Sequence, residues 1–257
     1  FAGKTVAILT AAYNDWLSLS HLLPLVDDTL ASLGAKGRVV VVDDGSIDFE
    51  GKNMVAECSL KAIKSVDGLV LGDNQGNQRA VAIGLAHVAE HVACDYLVLM
   101  DSDHEDKPEY IPRLLEACRE GGDREIVFAE RTKRSEGLLF TFFYRLYQWI
   151  YKAFTGHNIA VGNFSVIPGH LVSRLSYVGE LWNHIPASIM RSGIPFDIIP
   201  SERGKRRFGK SSMNLVRLVV HAFSAFTVFA DVFAVRLILW TLGLAFLFVP
   251  GSMVLVG

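Results

Sequence analysis

"RVVVVDDGS" (residues 38–46) runs four valines straight into two aspartates, a glycine and a serine. β-Branched residues favour an extended backbone, and the run is too short to form a helix. No polar residue alternates with the valines, so both faces of the strand must be buried. The Asp-Asp-Gly that follows supplies the residue types that a tight turn accepts.

The same order of events recurs on either side. "KTVAILTA" (4–11) leads into "AYND" (12–15), "LVL" (69–71) into "GDNQG" (72–76), and "YLVLM" (96–100) into "DSDHED" (101–106). Between them lie stretches whose apolar residues recur at helical spacing. One runs from Trp16 to about Leu33, with Asn14 or Asp15 as its cap and Gly34 as its stop. The others cover 77–92 and 107–120, the latter with Pro108 in its first turn, capped and begun by Asp106 and Glu109. "EIVFAE" (125–130) adds a further strand. Alternating helices and strands, with strands apolar throughout, predict an α/β domain on a mostly parallel sheet covered on both faces. Ligands of such sheets bind beyond the carboxyl ends of the strands, where all four polar clusters fall.

After residue 130 the character changes. "LLFTFFYRLYQWIYKAF" (138–154) reads as a helix crowded with aromatics, "AVGNFSVIPG" (160–169) as a strand and turn, and "FDIIPSERGKRRFGKSS" (196–212) as a strand that becomes a basic loop. Residues 211–231 fit an amphipathic helix in a membrane interface. Residues 232–249 carry Arg236 as their single charge, long enough for a bilayer span if that arginine snorkels, and apolar residues resume after Pro250-Gly251. Phe1 as the first residue and the apolar end imply a longer native chain.

Charge follows the same division. Residues 1–130 hold 11 Lys+Arg and 22 Asp+Glu, and residues 131–257 hold 14 and 5, so a net charge of −2 conceals an acidic half and a basic one. Hydrophobic residues make up 51% of the 257, and the mean hydropathy is +0.31, high for a soluble domain. The positive-inside rule puts the basic loop and its domain on the cytoplasmic side. Cys58, Cys94 and Cys118 match no metal spacing and read as reduced structural thiols. His87 and His91 lie four apart on a helix with no third ligand in view, and read as a solvated or packed pair.

Asp101 and Asp103 point to one side of an extended strand end, with Glu105 two residues on. Carboxylates so placed invite a hard divalent cation, which takes one or two carboxylates together with phosphate oxygens and water. Such an ion also neutralises a diphosphate leaving group. In "VVDDGS" a carboxylate at a strand end suits a nucleotide base or ribose. Each motif alone is more often an ordinary turn.

Taken in order, "AYND", "VVDDGS", "NQGNQRAVAIGL" (74–85) and "MDSDHE" (100–105) resemble the nucleotide-sugar motifs of family 2 glycosyltransferases. "AER" (129–131), "FYRL" (143–146), "GNFSVI" (162–167) and "RRFGKSSM" (206–213) resemble one branch, the polyprenyl-phosphate glycosyltransferases, which includes dolichyl-phosphate mannose synthase and bactoprenol glucosyltransferases. The resemblance implies a GT-A fold, a Rossmann-like catalytic domain over 1–210, divided into a nucleotide-sugar half (1–130) and an acceptor half with the basic loop (131–210). An interfacial helix (211–231) and transmembrane segments (232–257) would follow.

The resemblance further implies nucleotide-binding roles for Ala11, Tyr13, Asp15, Asp44, Asp101 and Ser102. Asp101, Asp103 and Glu105 would hold Mg2+ or Mn2+, and Arg206, Arg207 and Lys210 would belong to a loop closing over the phosphates. Asp103, Arg131, Arg145 and Asn163 would serve catalysis, the two arginines gripping the acceptor phosphate. The implied reaction moves one sugar, with inversion, from a nucleotide-diphosphate sugar to polyprenyl phosphate on the cytoplasmic face of an inner or ER membrane. No nucleic-acid partner is expected, and homo-oligomerisation stays open.

Several positions depart from the pattern. Ala11 replaces a usual Pro, Glu105 a common Gln, Asn163 the Asp of "GDF", and Ser212 a Lys, whose charge Lys210 would supply. Loss of a base at 163 is tolerable, because a phosphate monoester has a second pKa of about 6 and arrives largely deprotonated. Two other readings compete: a processive polysaccharide synthase, which lacks its Gln-x-x-Arg-Trp motif here, and a non-catalytic membrane-binding module, which would have no use for the DSD acids.

Overall fold

The computed structural model describes residues 1–131, 138–158, 161–208 and 215–254, with the side chains of 131, 138–143, 215–218 and 247–254 excepted. The chain divides into two compact units, one of Phe1–Ser135 with Ala160–Asn214, the other of Glu136–Ile159 with Leu215–Gly257.

The first unit holds a seven-stranded sheet: β1 (Thr5–Ala12), β2 (Lys36–Asp43), β3 (Ile63–Val70), β4 (Tyr96–Leu99), β5 (Ile126–Arg131), β6 (Val161–Pro168) and β7 (Phe196–Ser201). Their order across the sheet is β3-β2-β1-β4-β6-β5-β7. All neighbours run parallel except at β6, which is antiparallel to both β4 and β5. The N-terminal residues of β6 therefore reach the same edge as the carboxyl ends of the other strands.

Helices α1 (Trp16–Ser32), α2 (Lys52–Glu57) and α4 (Ile111–Glu120) belong to one face, and α3 (Asn77–His91), α6 (Gly169–Ser176) and α7 (Ile185–Arg191) to the other. The valine run shows why both faces are needed. Val39 and Val41 enter the core beneath α1, Val40 and Val42 enter the core beneath α3, and all four are fully buried. Each such side chain stabilises the fold by roughly 1.5–3 kcal/mol.

Two expectations shift. β3 begins at Ile63 rather than near Leu69 and carries Lys64, Ser65 and Asp67. It lies at the edge of the sheet, where half-exposed residues are tolerated. Asp106 does not cap the helix after it: its carboxylate accepts the N–H of Asp101 at 2.9 Å and holds the DSD turn instead. A 3-10 turn (Pro108–Tyr110) leads into α4 without a side-chain cap.

The second unit consists of α5 (Leu138–Thr155), α8 (Leu215–Thr227) and α9 (Ala230–Val254). α5 falls within the 1–210 span expected for the catalytic domain, and its aromatic ladder packs within this unit. Tyr147 and Tyr151 pack edge-on to Phe226, and Phe154 packs on Phe233 and Trp240. Arg236, the single charge of 232–249, donates its Nη1 to the Ala153 carbonyl at 3.1 Å, where the C-terminal end of α5 favours a cation. Among the described residues no single helix is both long and apolar enough to cross a membrane. Val219–Thr227 and Ala230–Phe246 meet that test only as a pair, bent by 87°.

Candidate active site

At the carboxyl edge the chain must leave β1, β2 and β4 through tight turns, and those turns carry the polar clusters. After β1, Asn14 adopts φ +53°, and its Oδ1 accepts the N–H groups of Ile47 and Asp48, each at 2.9 Å. Asn14 thus ties the first turn to the second. Tyr13 is exposed, and Asp15 begins α1 with its carboxylate turned away from the helix N–H groups.

After β2, two adjacent aspartates do different work. Asp43 is fully buried and accepts from Trp16 Nε1 (3.3 Å) and the Ser46 N–H (3.0 Å). Asp44 accepts the N–H groups of Gln75 (2.7 Å) and Gly76 (2.9 Å), just before α3. Burial raises the Asp44 pKa, the two N–H groups oppose this, and the charges of Asp43 and Asp73 add to the rise. Gly45, at φ +72°, passes so close to the 73–74 backbone that a Cβ would come within 2.8 Å of it. The expected nucleotide contact Asp44 therefore also braces the loop that starts α3.

After β4, the DSD turn is bound to its neighbours from beneath. Ser102 Oγ donates to the Ala11 carbonyl (3.1 Å), and Ser18 Oγ donates to the Ser102 carbonyl (2.9 Å). His104, at φ +68°, is buried with Nε2 3.1 Å from the Ser18 carbonyl. Burial holds its pKa below the usual imidazole range. Asp103 Oδ1 accepts the Glu105 N–H at 2.9 Å, closing the turn on itself.

The basic loop after β7 lies across these acids. Arg206 Nη2 is 3.3 Å from an Asp15 carboxylate oxygen and 3.1 Å from one of Asp103. Arg203 pairs with Glu105 through Nε (2.9 Å) and Nη2. Gly204 donates its N–H to the Glu105 carbonyl at 2.8 Å, and a Cβ there would fall 2.1 Å from the His104 oxygen. Phe208 stacks on His21 at 4.7 Å. Asp15 has a raised pKa: burial dominates, Arg206 opposes it, the Asp103 charge adds to it, and a Ser102 hydrogen bond lowers it.

Asp101 faces a different partner, Asn77 Nδ2 at 3.3 Å, on the first turn of α3. The next residue, Gln78, reaches Asn163 on β6. Asp101, Asp103 and Glu105 thus alternate in sequence but are divided among Asn77, Arg206 and Arg203. Among the described residues no three His, Cys, Asp or Glu side chains are grouped so as to hold a metal. The cation position that Asp15 and Asp103 share holds a guanidinium, which shows that their pocket fits positive charge.

Of the other expected residues, Arg207 is exposed on the loop. Arg131 pairs through its backbone with Ser201, but its side chain, and all of Lys210, lie outside the described residues. Arg145 is exposed on α5 of the second unit. Arg203, Asn77 and Gln78 were not anticipated individually, although the "NQGNQR" and "RGKRRFGK" strings that contain them were. His87 and His91 stack on each other at 4.7 Å. The three cysteines are unpaired, with burial pushing the Cys118 thiol up to about 12.

Comparison with known proteins agrees with this architecture. The chain is 27% identical over 220 residues to an undecaprenyl-phosphate 4-deoxy-4-formamido-L-arabinose transferase of Klebsiella pneumoniae, covering 84% of this chain and 64% of that one. It therefore spans somewhat less than two thirds of the length of the curated relatives it matches. Glucosyl-3-phosphoglycerate synthase of Mycobacterium tuberculosis, solved with Mn2+, UDP and phosphoglyceric acid, superposes with a TM-score of 0.60 at 15% identity, over 90% of this chain and 78% of that one. Mannosyl-3-phosphoglycerate synthase of Rubrobacter xylanophilus gives 0.54 at 16% identity, over 89% and 74%. These likenesses establish the fold as the α/β GT-A fold. Residues 7–181 match the family "Glycosyl transferase family 2", more than half the chain, and the protein belongs to that family.

Proposed function

We propose that the protein is an inverting glycosyltransferase that moves one sugar from a nucleotide-diphosphate donor to a polyprenyl phosphate at a membrane surface. The observation that carries this reading is Arg206, drawn from the basic loop onto Asp15 and Asp103 at the carboxyl edge of the sheet. A cationic loop docked on an acidic strand end is the pairing that a diphosphate bound with a cation requires. The named activity of the Klebsiella relative, an undecaprenyl-phosphate sugar transferase, supports the acceptor class.

Asp101 and Asp103 would hold a divalent cation, Mg2+ or Mn2+, which supplies charge neutralisation to the diphosphate. A Mn2+–UDP complex of a protein with this fold supports that assignment. In the reaction, a phosphate oxygen of the acceptor forms a bond to the anomeric carbon as the bond to the donor's diphosphate oxygen breaks. No proton needs removal, since the acceptor is largely dianionic at neutral pH. Arg203 and Arg206, released from Glu105, Asp15 and Asp103, would turn to the diphosphate as its charge develops. Catalysis then rests on position and charge.

The second unit supplies the membrane contact. Leu237, Ile238, Leu239, Trp240, Leu242, Leu244 and Phe246 of α9 are all exposed, an apolar surface that water disfavours and lipid accepts. The test is a panel of nucleotide sugars incubated with undecaprenyl phosphate and Mg2+ or Mn2+. A glycosylated lipid in the organic extract is the expected result. Transfer to a soluble acceptor with no lipid product from any donor would sink the reading.

A further inference from the structure

We infer that Gln78 is a positioning residue that locks the Asn163 carboxamide with its NH2 group turned into the site, making position 163 a hydrogen-bond donor to an anionic acceptor. This deepens the function proposed above and rests on its phosphate acceptor.

The orientation is set from a backbone group that can only donate. Ile185 is the first residue of α7, so its N–H has no partner within the helix. It donates to Gln78 Oε1 at 2.7 Å. That bond decides which end of the Gln78 amide is oxygen, an assignment that must come from the network. The Gln78 NH2 group is then turned the other way, where Nε2 lies 3.3 Å from Asn163 Oδ1. An NH2 group only donates, so Asn163 must offer its oxygen to Gln78 and carry its own NH2 on the opposite side. The Asn163 backbone is fixed as well, since its carbonyl accepts from Ser165 Oγ at 2.9 Å.

The location gives this orientation its meaning. Ser165 pairs with Leu99 in the antiparallel β4–β6 register, so Asn163 lies two residues further toward the edge where Asp101 leaves β4. Asn77, next to Gln78, holds Asp101 itself. The first two residues of α3 thus set one side chain on each of two site strands. A locked amide donor cannot accept a proton from a hydroxyl nucleophile, but it can bind an oxyanion. Position 163 in this form suits a nucleophile that arrives deprotonated.

The test exploits the difference between losing the lock and reversing it. In Gln78→Glu, both carboxylate oxygens accept, one from Ile185 N–H and the other from Asn163, whose amide must flip and present its oxygen to the acceptor. Gln78→Met removes both bonds but leaves the amide free to choose. With the full chain in detergent, Gln78→Glu should raise the KM for undecaprenyl phosphate about tenfold or more, the scale of one hydrogen bond to a charged group. The donor KM should stay within about twofold of wild type, and Gln78→Met should raise the acceptor KM less than Gln78→Glu does. Asn163→Asp, which keeps the bond to Gln78 but turns a carboxylate oxygen to the site, should resemble Gln78→Glu. If Gln78→Met is the more harmful, or Gln78→Glu leaves the acceptor KM unchanged, Gln78 is merely structural and the inference falls. A readout independent of turnover is the Asn163 side-chain 15N–H2 signal, assigned by its loss in Asn163→Asp and titrated with dodecyl phosphate. It should shift in wild type and not in Gln78→Glu; no shift in wild type overturns the inference. A wild-type shift without any glycosylated lipid would leave the inference standing and remove the proposed transferase reaction.

Discussion

Asp27, on the buried face of α1, accepts three backbone N–H groups, from Lys61 (2.8 Å), Ala62 (2.9 Å) and Ile63 (2.8 Å), and so fixes the chain's entry into β3. Burial works against its charge, but the three N–H groups and Lys61 outweigh it and hold the pKa below the usual carboxylate value. A depressed folded-state pKa contributes stability that is fully present above the unfolded value of about 4 and is lost as pH falls through the folded value. Asp27→Asn replaces one acceptor oxygen by a donor facing an N–H, at a cost of about 1–3 kcal/mol at pH 7. Urea unfolding should show that deficit at pH 7 and a smaller one near pH 3; an equal deficit at both would refute the charge's role. In Arg206→Ala, the guanidinium shared by Asp15 and Asp103 is gone, and their pocket becomes more receptive to another cation. Without donor, Mn2+ followed by electron paramagnetic resonance should bind several-fold more tightly than to wild type, while turnover falls about tenfold or more. Unchanged Mn2+ affinity would separate Arg206 from the cation site.

The elements show which information the sequence carries openly. Apolar runs ending in polar turns marked β1, β2 and β4 together with the edge where the site would lie, because burial on both faces leaves a composition that no surface element shares. The antiparallel insertion of β6 between β4 and β5 was not legible, since a doubly buried strand looks the same in either direction. Asp15, Asp103 and Asn163 stand in motifs that mark them as candidates, whereas nothing in the sequence marks Gln78 individually: its orientation depends on Ile185, 107 residues away. Nor could the sequence show that Arg203 and Arg206 rest on acids of the site, because a polybasic string serves a membrane surface equally well. Gly204 is the position on which that docking turns. Its replacement by Ala sets a Cβ 2.1 Å from the His104 carbonyl, too close for either backbone to keep its place. Gly204→Ala should free the loop, lower kcat/KM by about tenfold or more, and expose the 203–207 peptide bonds to trypsin, while the thermal midpoint of the sheet moves little. Protease resistance equal to wild type would show that the loop tolerates the side chain and that its contact with His104 is not a constraint.

Across the whole chain, the acidic residues concentrate in residues 1–130, which leaves the part after 130 net basic, and the apolar helices lie there as well. An acidic half suits a site that gathers cations and a nucleotide diphosphate; a basic and apolar half suits an anionic lipid surface. The two drives act differently on binding. Attraction of Arg and Lys to anionic headgroups is screened by salt, whereas burial of α9's apolar side chains is not. The protein should therefore sediment with phosphatidylglycerol-containing vesicles and stay bound through a wash in molar salt. Leu239 and Leu242 are both exposed on α9, which belongs to the second unit and not to the one that holds the sheet. Lysine at a lipid-buried helix centre costs about 2.5–3.5 kcal/mol per residue. The pair Leu239→Lys and Leu242→Lys should accordingly move most of the protein to the supernatant at high salt, yet retain partial binding at low salt through the basic residues. Its capacity to bind a nucleotide diphosphate, measured by calorimetry in detergent, should match wild type. A wild-type protein released completely by salt would mean that charge alone holds it, and that the apolar face of α9 is covered by protein rather than lipid.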